Sequence, residues 1–297
     1  MVFSGLQARL DGFAAELMAP PPGLAFDYTQ PAGEAALVPA GSISWQVFKN
    51  PVTLFIGGVA AVILELGEPS VRSGVWDHSS FRTDAVTRLR RTGAAAMMTV
   101  YGPRGAAEAM IARVVRRHAG VAGQTPDGTA YRANDQRLLD WVQATASYGF
   151  IEAYSRFATP LSPAQQSQAF AEGAAGSRLY GALGAPTSLA AWTAMLDAVA
   201  PTLERSEIIF EFLDIVRQAP IAPAIFRPVQ GLLVRAAVDL VPPALRSMLG
   251  IEQMGLSSLQ RGAVVTLARI GNAVPIRSAP PVQASLRMGL GERFLYS

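Results

Sequence analysis

The sequence contains no cysteine, only two histidines (His78 and His118) and a single lysine, Lys49. The missing cysteines exclude disulfides, zinc–thiolate sites, iron–sulfur clusters and cysteine nucleophiles together. The scarcity of histidine leaves any metal a very short list of nitrogen ligands. Charge is sparse as well: 16% of the 297 residues are charged and 50% hydrophobic, a balance that excludes a disordered tail protein. The 27 glycines and 21 prolines follow no period, which excludes a collagen or coiled-coil rod. A chain of this length forms one large domain or two ordinary ones and can bury a large core.

No apolar run reaches the roughly 20 residues that a membrane span needs. The longest, Val52 to Leu64, contains Gly57 and Gly58 and reads as a buried core helix, so no integral membrane segment is expected. The N-terminal stretch MVFSGLQARLDGFAAELM lacks the positive region and continuous apolar region of a secretory signal. These features predict a soluble, cytoplasmic protein. Its pI near 9.5 permits loose membrane association without requiring it.

The formal charge of +3 is small, and its basic residues are almost all arginine. The densest clusters, Arg88–Arg90–Arg91 and Arg113–Arg116–Arg117, fall within apolar helical patterns. They read as solvated helix faces, or as arginines that hold an anionic group such as a carboxylate or propionate. Basic residues interleaved with stacking aromatics are missing, so no nucleic-acid partner is expected.

Apolar periodicity is helical nearly everywhere, and no alternating strands with hairpin turns stand out. A first amphipathic segment covers about 2–19 and stops at Pro20–Pro21–Pro22–Gly23. A loop over 24–43 precedes one buried helix from about Ser44 to Glu68, closed by Pro69. Residues 70–83 form a connection or short helix. Helices follow at about Asp84–Tyr101 and Pro103–Ala119, then a turn-rich loop in which Asp127–Gly128 can turn a small hairpin. Asp135 caps a long helix to about Ala158, and Ser162–Pro163 opens another to about Tyr180. Further helices are expected at 187–200, 202–218, 225–239, 242–250 and 256–270, with an irregular end. The fold class is therefore all-α, a single domain of roughly ten helices. Its divisions are an N-terminal helix and loop (1–40), a helical body (41–270) and an irregular C-terminal tail (271–297).

Two adjacent helices carry the candidate chemistry. Arg88 and Thr92 are four residues apart and share one face, followed a turn later by the small residues Ala95, Ala96 and Thr99. Such a face admits something flat, and it serves close helix packing equally. On the next helix His118 lies on the apolar stripe with Ile111, Val114 and Val115. A histidine there is either a satisfied core residue or a ligand. Haem iron needs one axial nitrogen, apolar walls and polar or cationic groups beside it, and these helices can supply all three.

At these residues the chain resembles the MpaB family of oxygenases, related to rubber oxygenase (latex clearing protein). The matching words are SISWQVFKNPV at 42–52, GVWDHSSF at 74–81, RLRRT at 88–92 and VYG at 100–102. HAGVAG at 118–123, DGTAYRANDQRLLDWVQA at 127–144 and RFATPLSP at 156–163 continue the match. The resemblance spans about residues 40–220. It implies a globin-like helical core binding haem b, with His118 as the iron ligand and Arg88 and Thr92 as the polar pair beside it. It further implies a haem-dependent oxygenase that uses dioxygen to cleave carbon–carbon double bonds in an apolar, isoprenoid or lipid-like substrate. A glutamate base is part of the same picture, with Glu65 and Glu68 as candidates and Glu68 placed among the catalytic residues. Apolar walls are expected from Met97, Met98, Leu64 and Phe81.

The chain departs from the family pattern at three positions. Arg91 stands where rubber oxygenase has a lysine able to occupy the distal site, and guanidinium cannot coordinate iron as a neutral amine does. Glu68 and Gln143 stand where relatives often have histidine. His78 matches a family word and is expected either to pair with Asp77 or cap the next helix, or to act near the cofactor. The altered positions leave open a haem or hydrophobic-ligand binding protein without turnover.

Overall fold

The computed structural model describes residues 26–221 and 227–296, and the first predicted amphipathic segment lies outside them. Thirteen α-helices and one two-stranded antiparallel sheet make up the described residues. The helices are α1 (Ile43–Phe48), α2 (Pro51–Gly67), α3 (Pro69–His78), α4 (Ala85–Tyr101) and α5 (Arg104–His118). After β1 (Ala122–Gln124) and β2 (Ala130–Arg132) come α6 (Gln136–Phe157), α7 (Pro163–Leu179), α8 (Leu189–Val199) and α9 (Glu207–Gln218). The last four are α10 (Arg227–Leu240), α11 (Pro243–Leu249), α12 (Ser258–Ala273) and α13 (Pro280–Arg287).

The all-α expectation holds, with two corrections. The predicted helix from Ser44 to Glu68 is two helices. The Asn50 side chain accepts hydrogen bonds from the backbone N–H groups of Val52 and Thr53 at 3.1 and 3.2 Å, and Pro51 takes the first helical position. A cap followed by proline starts a new helix rather than continuing the old one. The predicted irregular tail contains α13, because Pro280 and Pro281 occupy its first turn, where a missing N–H costs nothing.

The α2–α6 pair forms the spine. The helices run antiparallel and meet backbone to backbone at Gly57 and Gly149: a Cβ on Gly57 would lie 2.6 Å from the Gly149 carbonyl oxygen. Around this pair, Trp141, Phe157, Phe212 and Leu249 build the main core. α2 and α3 meet at a bend of 112°. The carboxylate of Glu68 makes that corner, accepting from Val71 N–H at 2.7 Å and from Arg137 Nη2 at 2.9 Å.

A second apolar cluster gathers Trp45, Met98, Tyr101, Ile111 and Leu295 beside the α4–α5 hairpin. Arg287, 4% exposed, closes it from α13 by donating to the carbonyl oxygens of Glu34, Tyr28 and Tyr101 at 2.9, 2.8 and 2.8 Å. Residues on both sides of the expected division at 40/41 share this cluster, so the loop before α1 and the C-terminal end pack on the same body.

The turn-rich loop forms the small hairpin, with Ala122 opposite Arg132 and Gly128 at φ 88°, a left-handed turn position that favours glycine. Among the described residues no single helix is long and apolar enough to cross a membrane.

Candidate active site

α4 starts where the Asp84 carboxylate accepts from the Thr87 N–H at 3.1 Å and ends at Gly102, ahead of Pro103. Among the described residues it packs on α1, α5 and α13 rather than closely on the α2–α6 spine. Arg88 lies one turn into α4, on the side of the spine. Its Nη1 donates to the Thr92 hydroxyl at 2.7 Å, while that hydroxyl donates to the Arg88 carbonyl at 3.0 Å. The guanidinium lies 5.4 Å from the centroid of the buried Phe81 ring, within cation–π range. Its Nε is buried without a hydrogen-bond partner.

Glu65 faces this group from α2. It is half-buried and accepts only a long hydrogen bond, 3.4 Å, from the Thr145 hydroxyl of α6. Burial raises its pKa to about 7, although the charge of Arg88 and the Thr145 bond pull the other way. Burial likewise lowers the Arg88 pKa against the opposing charge of Glu65, and guanidinium remains protonated regardless. The pair therefore joins a permanent cation to a carboxyl poised to exchange a proton near neutrality.

His118 ends α5 at the same end of the hairpin. Its ring is half-buried, and Nδ1 is buried with no hydrogen-bond partner. Burial, and then the charge of Arg88, hold its pKa below the usual histidine value, which keeps the imidazole neutral, the form that ligates a metal. Arg88 thus acts electrostatically on both His118 and Glu65. Among the described residues, no three of His, Asp and Glu converge to hold a metal ion by themselves. His118 could offer one nitrogen, which is all that an iron already held in a macrocycle would ask of the protein.

The remaining predicted residues fall differently. Glu68 is 3% exposed and both of its oxygens are engaged at the α2–α3 corner, while it is Glu65 that feels the charge of Arg88. In a continuing helix the two would share a face, but α2 ends at Gly67 and the chain bends by 112°, which turns Glu68 into the corner. His78 is exposed at the end of α3, its ring 6.4 Å from that of Tyr131, and Asp84 rather than His78 caps α4. Arg91 is exposed, and its charge is felt by Asp84 and Arg88. Of the expected walls, Phe81 lies under Arg88, while Leu64 and Met98 are enclosed in the two apolar clusters. Met97 packs at the edge of the second cluster. A half-open cavity of about 490 Å³ lies elsewhere, against Leu213, Arg217, Leu232, Arg235 and Met254, and none of the predicted site residues lines it.

Sequence reasoning missed Thr145. The available signal was Gly149, one turn further along α6, whose missing side chain brings that face onto α2.

A family model described as ER-bound oxygenase mpaB/B'/rubber oxygenase, catalytic domain, matches residues 45–274. The chain belongs to this family. The match takes in α2 to α6 and so every residue just described, and extends beyond the stretch recognisable from sequence words, through α12. The family is one of oxygenase catalytic domains, and this chain carries that domain. No curated protein and no solved structure matches the chain.

Proposed function

We propose that the domain is a haem b-dependent oxygenase acting with dioxygen on an apolar, isoprenoid or lipid-like substrate, by oxidative cleavage of a carbon–carbon double bond. The observation that carries this reading is the buried, unpartnered Nδ1 of a neutral His118 within the electrostatic reach of Arg88. His118 is the residue that would hold the iron, with Arg88 and Thr92 beside it. Haem b, when bound, supplies an iron at which dioxygen is activated.

The chain's own groups then have separate tasks. Arg88, held by the Thr92 hydroxyl, offers a preorganised cationic donor where negative charge develops on oxygen. Glu65, with its pKa about 7, accepts or returns a proton at its carboxylate oxygens at neutral pH. The Thr145 hydroxyl, which donates to the Val142 carbonyl at 3.0 Å, lies 3.4 Å from Glu65 Oε1 and lends it a weak polar contact. Phe81, buried beneath the guanidinium, gives Arg88 an apolar backing.

The test is a visible spectrum of the protein reconstituted with haemin, before and after dithionite and carbon monoxide. A Soret band that His118→Ala abolishes supports the ligand assignment; a protein that never takes up haemin overturns it. Oxygen consumption with a panel of prenyl compounds then tests turnover, and a stable haem spectrum without consumption would leave a carrier.

A further inference from the structure

The α4–α5 hairpin and the strand beyond it concentrate the basic charge of this chain. Residues 84–132 hold eight arginines against three carboxylates, Asp84, Glu108 and Asp127, whereas the whole chain has a formal charge of only +3. The remainder is thus slightly acidic. Because the two helices run antiparallel about Gly102–Pro103, Arg90 and Arg91 near the start of α4 lie at the same end as Arg113, Arg116 and Arg117 near the end of α5. Arg132 follows in β2, which is tied back to the chain after α5 by the Ala133 N–H to Val121 O bond of 3.0 Å.

None of these six forms an ion pair among the described residues, although nine ion pairs occur elsewhere in them. All but the half-buried Arg90 are exposed. Six clustered arginines without a carboxylate partner have the electrostatics of an anion-binding face. Between the arginines the exposed side of α5 presents alanines (Ala106, Ala109, Ala112) and no aromatic ring on which a base could stack. An exposed basic face with small apolar side chains and no stacking ring suits anionic headgroups rather than a nucleic acid.

We propose that this face docks the domain on a bilayer containing anionic lipids. Arg91 and Thr92, both exposed, adjoin Arg88, so the docked surface borders the candidate active site. A substrate soluble in hydrocarbon would then reach the site from the bilayer. That last step rests on the function proposed above; the docking itself rests only on charge and exposure.

The experiment is co-sedimentation of the full chain with vesicles, in the absence of substrate. Vesicles of phosphatidylcholine with phosphatidylserine are compared with phosphatidylcholine alone. Each arginine near an anionic surface is worth about a five-fold change in partitioning, so Arg113→Gln/Arg116→Gln/Arg117→Gln should weaken binding about 100-fold. Added salt should release the wild-type protein. The control Arg235→Gln/Arg269→Gln/Arg293→Gln removes equal charge elsewhere and should bind within a few-fold of wild type. Equal binding to both vesicles, no binding, or equal losses in the two triple variants overturns the proposal. So does tighter binding to duplex DNA than to the anionic vesicles at the same salt concentration. Vesicle binding is read without haem or turnover, so its failure leaves the oxygenase reading to its own spectral test.

Discussion

The Glu65 carboxyl lies within the field of the Arg88 guanidinium, yet its pKa rises to about 7, because burial outweighs the neighbouring cation. Two helices far apart in the chain thereby place an acid able to titrate at neutral pH next to a base that never does. That relationship makes Glu65, rather than the neighbouring Glu68, the carboxyl to test.

The first expectation concerns pH. In the folded protein Glu65 holds its proton to about pH 7, against an ordinary glutamate value of 4.5. The folded state therefore binds more protons than the unfolded state in this window. Its contribution to stability is complete below about pH 4.5 and is lost as the pH rises through 7. Glu65→Gln should flatten that slope and stabilise the protein at pH 8 by about 1–2 kcal/mol, allowing for water at a half-buried site. Urea midpoints at pH 5 and pH 8 measure both effects; an unchanged slope counts against a titrating Glu65.

Glu68 should behave differently. Glu68→Ala removes the α3 cap and leaves Arg137 without its partner, for a loss of about 2 kcal/mol at pH 7. Haem uptake by the surviving folded protein should be unaffected. A spectral change as large as that of His118→Ala would return Glu68 to the site.

His118→Ala should lower haem affinity by more than about 100-fold while changing unfolding by little. Its Nδ1 makes no hydrogen bond that the substitution could remove. Haemin titration and thermal melting of the apoprotein separate the two effects.

The helix contact supplies a packing test. Gly149→Ala sets a Cβ 2.3 Å from the Gly57 carbonyl oxygen and should cost about 3 kcal/mol or more. Gly262→Ala, in the exposed middle of α12 with nothing within 4 Å of the added carbon, should stabilise by about 0.5–1 kcal/mol. Opposite shifts in denaturant midpoint are expected from the same chemical change.

Arg287→Met should cost about 3–5 kcal/mol, since it leaves the carbonyls of Tyr28, Glu34 and Tyr101 without their donor. Arg287→Lys should recover only part of this, because an ammonium cannot span three carbonyls as a planar fork does. Thermal unfolding ranks the three proteins.

Much of this architecture was legible in the residues. Periodicity and caps located α4 to α7 to within a residue or two, and Asp127–Gly128 marked the hairpin. The Arg88–Thr92 pair followed from four-residue spacing on one helix. The Asn50–Pro51 break was hidden because the apolar pattern runs through it, and only the cap geometry shows that the helix restarts. α13 was hidden because paired prolines read as a breaker, although at the first turn they are compatible with a helix. The choice between Glu65 and Glu68 depended on the 112° corner, which no local pattern encodes. Thr145 could be found only once the α2–α6 contact was known.

At the Gly57–Gly149 crossing, peptide groups rather than side chains determine how near the two rods come. Their separation is thus insulated from drift in the surrounding apolar residues, which can exchange methyl groups without prying the rods apart. One turn from Gly149 and two from Gly57, the threonine and the acid inherit that fixed gauge. Changes in the outer helices would leave Glu65 and Thr145 facing each other at the same spacing.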